Sequence, residues 1–203
     1  YGSLKHFLNY IFRKSDFREY QFEAIANVLR DKDTLTLLPT GAGKSIIYQL
    51  SGMLLPGVTI VVDPISALID DQKYGLLSHG INRVAALRGS RIDNSARHEM
   101  MAAIAANQID YILLSPERML IQAFREDLTS MMEQTGINLA VIDEAHCLSQ
   151  WGHDFRFAYL RLSENLRRYC SDKLNGKPKI LAMTGTASRT VLKEMIAEIG
   201  ISL

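Results

Sequence analysis

Five short, continuous apolar runs set the limits on what this chain can fold into: Thr34–Leu38, Val58–Val62, Tyr111–Leu114, Leu139–Ile142 and Ile180–Met183. None of them alternates apolar with polar residues, and such runs are what strands buried on both faces show. Arg83–Leu87 is a further strand candidate. Between the runs lie stretches with helical periodicity: Ser45–Leu55, Ile65–Leu77, Asn94–Ala106, Glu117–Met132, Tyr159–Tyr169 and Arg189–Ile199. Two more helices are expected ahead of the first run. One carries Leu4, Phe7, Leu8, Ile11 and Phe12; the other carries Phe22, Ile25 and Leu29, with Ser15-Asp16 as its expected N-cap. Strands alternating with helices predict an α/β fold: a mostly parallel central sheet with helices on both faces, preceded by two N-terminal helices.

A length of 203 residues fits one largish domain, with residues 1–33 as a helical lead-in; no repeat or long linker divides it. Lys+Arg 23 against Asp+Glu 22 leaves a formal charge of +1, so any nucleic-acid contact must be local. Arg83, Arg88, Arg91 and Arg97 form a basic cluster, read as a solvated face with a DNA-backbone or partner role as the alternative. His6, His79 and His98 are scattered and read as surface or helix-cap residues. Cys147 and Cys170 have no metal-ligand spacing and are too few for a disulfide scaffold, so a reduced, intracellular protein is expected. No apolar run approaches the roughly 20 residues of a membrane helix, and no membrane partner is expected. The chain begins at Tyr1 and is read as a processed or excised piece.

In an open parallel sheet, ligands bind outside the carboxyl ends of the strands. The first run ends in Leu37 to Ser45, LLPTGAGKS. Gly41 and Gly43 let successive N–H groups turn inward, and the helix that follows adds its dipole, so Thr40, Gly41, Ala42, Gly43, Lys44 and Ser45 read as a phosphate cradle. Lys44 would reach terminal phosphates and the Ser45 hydroxyl would ligate Mg²⁺. Only the second half of G-x-x-x-x-G-K-[ST] is matched, since Leu38 stands where the first glycine belongs; the alternative is a Gly-rich turn with an incidental lysine. The other ends carry Asp63-Pro64, Ser115-Pro116-Glu117, Asp143-Glu144 and Thr184-Gly185-Thr186. Asp143 is placed to hold Mg²⁺ opposite Ser45, and Glu144 to orient or deprotonate water. The alternative for this pair is an acidic helix N-terminus.

Several of these segments, in this order, resemble the motifs of superfamily 2 helicases, and more narrowly of the RecQ family of DNA helicases. Phe17-Arg18-Glu19-Tyr20-Gln21 resembles the adenine-recognising F-R-x-x-Q motif. Leu38 to Ser45 is similar to motif I, and Val61 to Leu68 with Asp71-Gln72 to motif Ia. Leu114 to Arg118 resembles motif Ib, Asp143-Glu144-Ala145-His146-Cys147 motif II, and Leu181 to Ala187 motif III. Ser149 to Arg156, SQWGHDFR, resembles the family's aromatic-rich loop. Bases could stack on Trp151 and Phe155, at roughly 1–3 kcal/mol per base. Arg156 could pair a phosphate, and His153-Asp154 could hold the loop; the alternative is that Trp151, Phe155 and Phe157 are core aromatics. Three positions depart from the family pattern: Asp63 where serine is typical, Phe157 where proline is usual, and Gly185 where alanine is common. An acid at position 63 would repel a DNA backbone.

The resemblance implies a RecA-like P-loop domain, the first of two motor domains of an ATP-dependent 3′-to-5′ DNA helicase. It implies ATP and Mg²⁺ as cofactors, and single-stranded or junction DNA as partner. The implied catalytic residues are Lys44, Asp143, Glu144 and His146; Arg18 and Gln21 would read adenine. Ser115, Pro116, Thr184, Thr186 and the loop residues Trp151, His153, Asp154, Phe155 and Arg156 would bind DNA or couple it to hydrolysis. The second RecA-like domain, with its arginine finger, and the family's zinc module lie outside this chain. Residues 1–203 alone are therefore expected to bind ATP–Mg²⁺ weakly and not to unwind DNA. An RNA helicase or other translocase of the superfamily, and a non-catalytic binding module, are the rival readings.

Overall fold

The computed structural model describes residues 1–88, 94–132, 135–150, 158–159, 161–171 and 176–201. Six strands are described: β1 (Thr34–Leu37), β2 (Val58–Val62), β3 (Val84–Leu87), β4 (Tyr111–Leu114), β5 (Ile137–Ile142) and β6 (Lys179–Thr184). They form one sheet in the order β1-β6-β5-β2-β4-β3, and every pairing is parallel. The chain lays β1, β2 and β3 across the sheet in one direction and returns to fill the spaces with β4, β5 and β6. This is an α/β fold, as the uninterrupted apolar runs predict.

The helices are α1 (Gly2–Phe12), α2 (Gln21–Leu29), α3 (Lys44–Leu54), α4 (Ser66–Ser78), α5 (Asn94–Ala105), α6 (Gln122–Met132), α7 (Cys147–Gln150), α8 (Leu162–Tyr169) and α9 (Arg189–Ile199). Strand side chains alternate between two cores. Ile60, Val62, Ile112, Leu114, Ile142 and Ala182 join Ile104, Phe124, Leu128, Leu166 and Met195 from α5, α6, α8 and α9. Val61, Leu113, Val141, Leu181 and Met183 join Leu8, Ile25, Ile47 and Ile69 from α1 to α4. The helices thus divide between the faces by chain order. Gly52 allows α3 to lie close on the sheet: a Cβ there would stand 2.6 Å from Thr59 Oγ1 and 2.8 Å from the Tyr111 ring.

Two local expectations are corrected. Asp16 does not cap α2; its carboxylate receives the Phe17 N–H, the Tyr1 hydroxyl and Lys5, and α2 begins after Tyr20. The Gln21 side chain serves the turn instead, accepting from the Arg18 N–H at 2.9 Å. The helix expected from Glu117 to Met132 is broken. Pro116–Leu120 is a 3-10 turn, and extended Ile121 separates it from α6.

Candidate active site

The ladder runs one residue beyond several strand ends. Leu38 N–H donates to Thr184 O at 3.0 Å, Asp143 N–H to Val62 O at 2.9 Å, and Asp63 N–H to Leu114 O at 3.0 Å. These bonds bring the residues that follow β1, β5 and β2 to one edge. Gly41 and Gly43 have φ of +80° and +81°, the left-handed region that a turn from strand to helix requires here. A Cβ on Gly43 would also lie 2.8 Å from Gln21 Nε2. Gln21 is buried, and its amide donates to Ala42 O at 2.9 Å and Gly43 O at 3.0 Å, while the Arg18 guanidinium donates to Gly41 O. With three loop carbonyls held from this side, the turn is braced by the motif that precedes α2. Thr40 and Gly41 are exposed, and Ala42 to Ser45 are partly exposed.

Lys44 Nζ lies 3.1 Å from Glu144 Oε1, an ion pair between the first residue of α3 and the turn after β5. Glu144 has a positive φ of 46°, an uncommon conformation for a residue with a side chain. The turn is tied to β6 by Ala145 N–H donating to Met183 O at 2.8 Å. His146 Nδ1 lies 3.2 Å from Glu144 Oε2 and 3.0 Å from Thr184 Oγ1. Lys44, Glu144, His146 and Thr184 therefore make one continuous polar chain across β1, β5 and β6. A Cβ on Gly185 would stand 3.3 Å from Thr40 Oγ1 and 3.4 Å from Lys44 Nζ, so the glycine leaves the lysine room.

Asp143 is 7% exposed, with Oδ1 accepting from the Glu144 N–H at 2.9 Å. Burial raises its carboxyl above the usual range. Asp63 is 1% exposed, and burial pushes it up to about 7. Its carboxylate accepts from the Ile65 N–H at 2.9 Å and from Gln72 Nε2 at 2.5 Å. Asp63 is thus an interior acid close to Asp143, to which Gln72 also donates, and not a surface one beside a DNA strand. Partly exposed Ser45, at the start of α3, and buried Asp143, just after β5, are hard oxygen donors. Such a sparse oxygen set suits Mg²⁺, which keeps waters and substrate phosphates in its shell.

The structure separates the other expected residues. Ser115, Pro116 and Thr184 are buried, so their side chains present no surface to a nucleic acid; Thr186 is exposed. Thr184 instead links His146 to the Thr186 carbonyl, to which its hydroxyl donates at 3.0 Å. Trp151, His153, Asp154, Phe155 and Arg156 lie outside the described residues, as do Phe157 and Arg91. Of the basic cluster, Arg83 pairs with Asp110, Arg88 with Asp70 and Arg97 with Asp127, which leaves a balanced face. Sequence reasoning missed Tyr48 and the service of Gln72. Tyr48 lies on α3 four residues after Lys44, and its hydroxyl donates to Gln72 Oε1 at 3.1 Å. The helical spacing from Lys44 was the available signal for Tyr48. A cleft of about 710 Å³ between Ile11, Met53, His79, Asn82 and Asp110 opens elsewhere, at the amino ends of β2 and β3, and shares no residue with this site. No helix among the described residues is long and apolar enough to cross a membrane.

The pattern of the family described as DEAD/DEAH box helicase matches residues 18–195. The chain is 38% identical over 193 residues to the probable ATP-dependent DNA helicase RecS of Bacillus subtilis, covering 95% of this chain and 36% of that protein. It is 40% identical over 194 residues to the ATP-dependent helicase wrn-1 of Caenorhabditis elegans, covering 95% of this chain and 17% of the relative. With the ATP-dependent DNA helicase RecQ of Synechocystis the identity is 38% over 189 residues, covering 92% of this chain and 38% of the relative. The chain thus spans well under half the length of these relatives. The Hef helicase domain of Pyrococcus furiosus superposes with a TM-score of 0.64 at 20% identity, over 92% of this chain and 36% of that one. A hypothetical ATP-dependent RNA helicase from Sulfolobus tokodaii gives 0.66 at 16% identity, over 98% and 55%. These two likenesses bear on the fold alone. The family match takes in the turn through Gly41 and Gly43, the Asp143-Glu144 turn and Thr184 alike, and the chain belongs to the DEAD/DEAH box helicases, among relatives of the RecQ type.

Proposed function

We propose that this chain is the ATP-binding motor domain of a RecQ-type DNA helicase, coupling ATP hydrolysis to 3′-to-5′ movement on single-stranded DNA and unwinding of duplex. The observation that carries the reading is the Lys44–Glu144 ion pair at 3.1 Å, which puts a phosphate-seeking cation beside a candidate base across the carboxyl edge of the sheet. The loop amides and Lys44 bind the β- and γ-phosphates. Ser45 and Asp143 hold Mg²⁺, which when bound supplies positive charge against the phosphate oxygens. A γ-phosphate that takes Lys44 frees Glu144 to accept a proton from the attacking water. His146, between Glu144 and Thr184, fixes the orientation of that carboxylate and links it to the Thr184–Thr186 segment. Exposed Arg18 faces the base, whereas Gln21 is spent on bracing the loop.

Residues 1–203 bind nucleotide weakly and do not unwind DNA by themselves, because the arginine finger comes from a second RecA-like domain; such a finger is worth about 10³–10⁵ in rate in related enzymes. The test is DNA-stimulated ATPase of the intact protein. Lys44→Ala and Glu144→Gln should each abolish turnover, with Glu144→Gln retaining nucleotide binding. ATPase that survives Glu144→Gln unchanged overturns the catalytic reading. Stimulation by RNA in preference to DNA moves the protein to the RNA-helicase reading.

A further inference from the structure

One amide nitrogen serves two buried carboxylates. Gln72 Nε2 lies 2.5 Å from Asp63 Oδ2 and 2.9 Å from Asp143 Oδ2. An amide nitrogen has two hydrogens, so one is available to each acid. Its oxygen is engaged as well, accepting from the Tyr48 hydroxyl at 3.1 Å. A flipped amide would turn Oε1 toward two carboxylates, so the two acids fix which way round Gln72 stands, and the Tyr48 hydroxyl, which can donate or accept, then holds the amide oxygen. The remaining oxygens of the acids are also held, Asp63 Oδ1 by the Ile65 N–H and Asp143 Oδ1 by the Glu144 N–H, each at 2.9 Å. Asp143 is thereby oriented from α4 through Gln72, and Gln72 from α3 through Tyr48. The same α3 begins with Lys44 and Ser45.

We propose that Gln72 is a positioning residue: its amide, aligned by Tyr48 and anchored on Asp63, sets the Asp143 carboxylate in the orientation that receives the divalent cation of the nucleotide. The inference rests on the reading of Asp143 as a Mg²⁺ ligand. Groups that orient a metal's ligands typically change metal affinity by roughly 10–100-fold when removed. Tyr48 acts one bond further out, and its hydroxyl is worth less. The pairing also accounts for the acid at position 63. With Gln72 between them, Asp63 and Asp143 share a donor, and neither faces the other without one.

The experiment titrates Mg²⁺ into the intact protein with mant-ADP and follows nucleotide fluorescence, which is independent of turnover. Gln72→Leu keeps bulk and removes the donors. It should raise the Mg²⁺ concentration for half-maximal binding by roughly 10–100-fold, while mant-ADP binding in EDTA stays at the wild-type level. Tyr48→Phe removes a single hydroxyl, and the midpoint should rise by about five-fold, the size of one neutral hydrogen bond. In the Gln72→Leu background, Tyr48→Phe should add nothing, since its effect passes through the missing amide. A merely structural role would lower melting temperature and leave the Mg²⁺ midpoint in place. Wild-type midpoints in both single variants overturn the proposal; if Gln72→Leu does not fold, a wild-type midpoint in Tyr48→Phe does so alone. A wild-type protein that binds no mant-ADP at any Mg²⁺ concentration overturns the nucleotide reading itself, a separate outcome.

Discussion

A carboxyl that is 1% exposed and pushed up to about 7 holds its proton more tightly in the fold than in the unfolded chain, where Asp titrates near 3.8. Asp63 therefore contributes stability that is fully present below the unfolded value and is lost as pH rises through about 7. Buried Asp143, also raised, acts in the same direction. Urea unfolding should show stability falling from about pH 4 to 7 and levelling above that, and Asp63→Ser should flatten the fall; an unchanged slope removes Asp63 from the account. Gly43 is a different kind of residue-scale constraint, one of backbone and space together. Gly43→Ala should cost about 1–2 kcal/mol for the left-handed backbone. In a chain of this size each kcal/mol lowers the melting temperature by about 2–4 °C. Thermal unfolding checks it. The glycine turn before Lys44 and the Asp143-Glu144 pair could be singled out because each is written in adjacent residues. Gln72 was not, since its two acceptors arrive from strands elsewhere in the chain. Asp63 invited the expectation of a repelled DNA contact, because sequence shows the charge of a residue and not its depth.

Between elements, much of the organisation rests on single polar residues placed at junctions. Asp33, just ahead of β1, accepts from the Ile180 N–H at 2.9 Å and from Arg167 of α8 at 2.9 Å, and Arg167 also reaches the Ile199 carbonyl of α9 at 2.8 Å. Asp33→Ala strands a backbone donor and an arginine together, and unfolding by denaturant should register a loss of about 1–3 kcal/mol. Nothing local marks this staple; a three-residue Asp-Lys-Asp run reads as a polar turn whichever partners it later finds. Strand existence was legible from apolar content, and β1, β2 and β4 begin where the runs begin. Helix boundaries were less so. The break at Ile121 follows from a proline-initiated 3-10 turn whose apolar residues, Met119 among them, still face the core and so preserve a helical pattern. The start of α2 was hidden because Tyr20, in a left-handed conformation and with no capping side chain, takes the N-cap position where a serine or aspartate would have announced it.

The molecule as a whole buries both its cysteines. Cys147 and Cys170 are each fully buried, with burial pushing the Cys147 thiol up to about 12 and the Cys170 thiol higher still. At pH 8 neither should react with a disulfide reagent in the native protein, and both should react on unfolding in urea. Rapid native labelling of either would contradict the packing around α7 and α8. The strand order has a consequence for how such a molecule comes into being. Among the described strands β1 precedes the other five in sequence, yet in the sheet it pairs with β6, which follows them all. During synthesis the glycine turn emerges long before the strand that seats it or the glutamate that meets its lysine. A chain halted before Lys179 should leave β1 unpaired and open to proteolysis, with no grip on nucleotide. Assembly of this edge is then also a report of chain growth: the turn that carries Gly41 and Gly43 is seated only after β6 has been delivered.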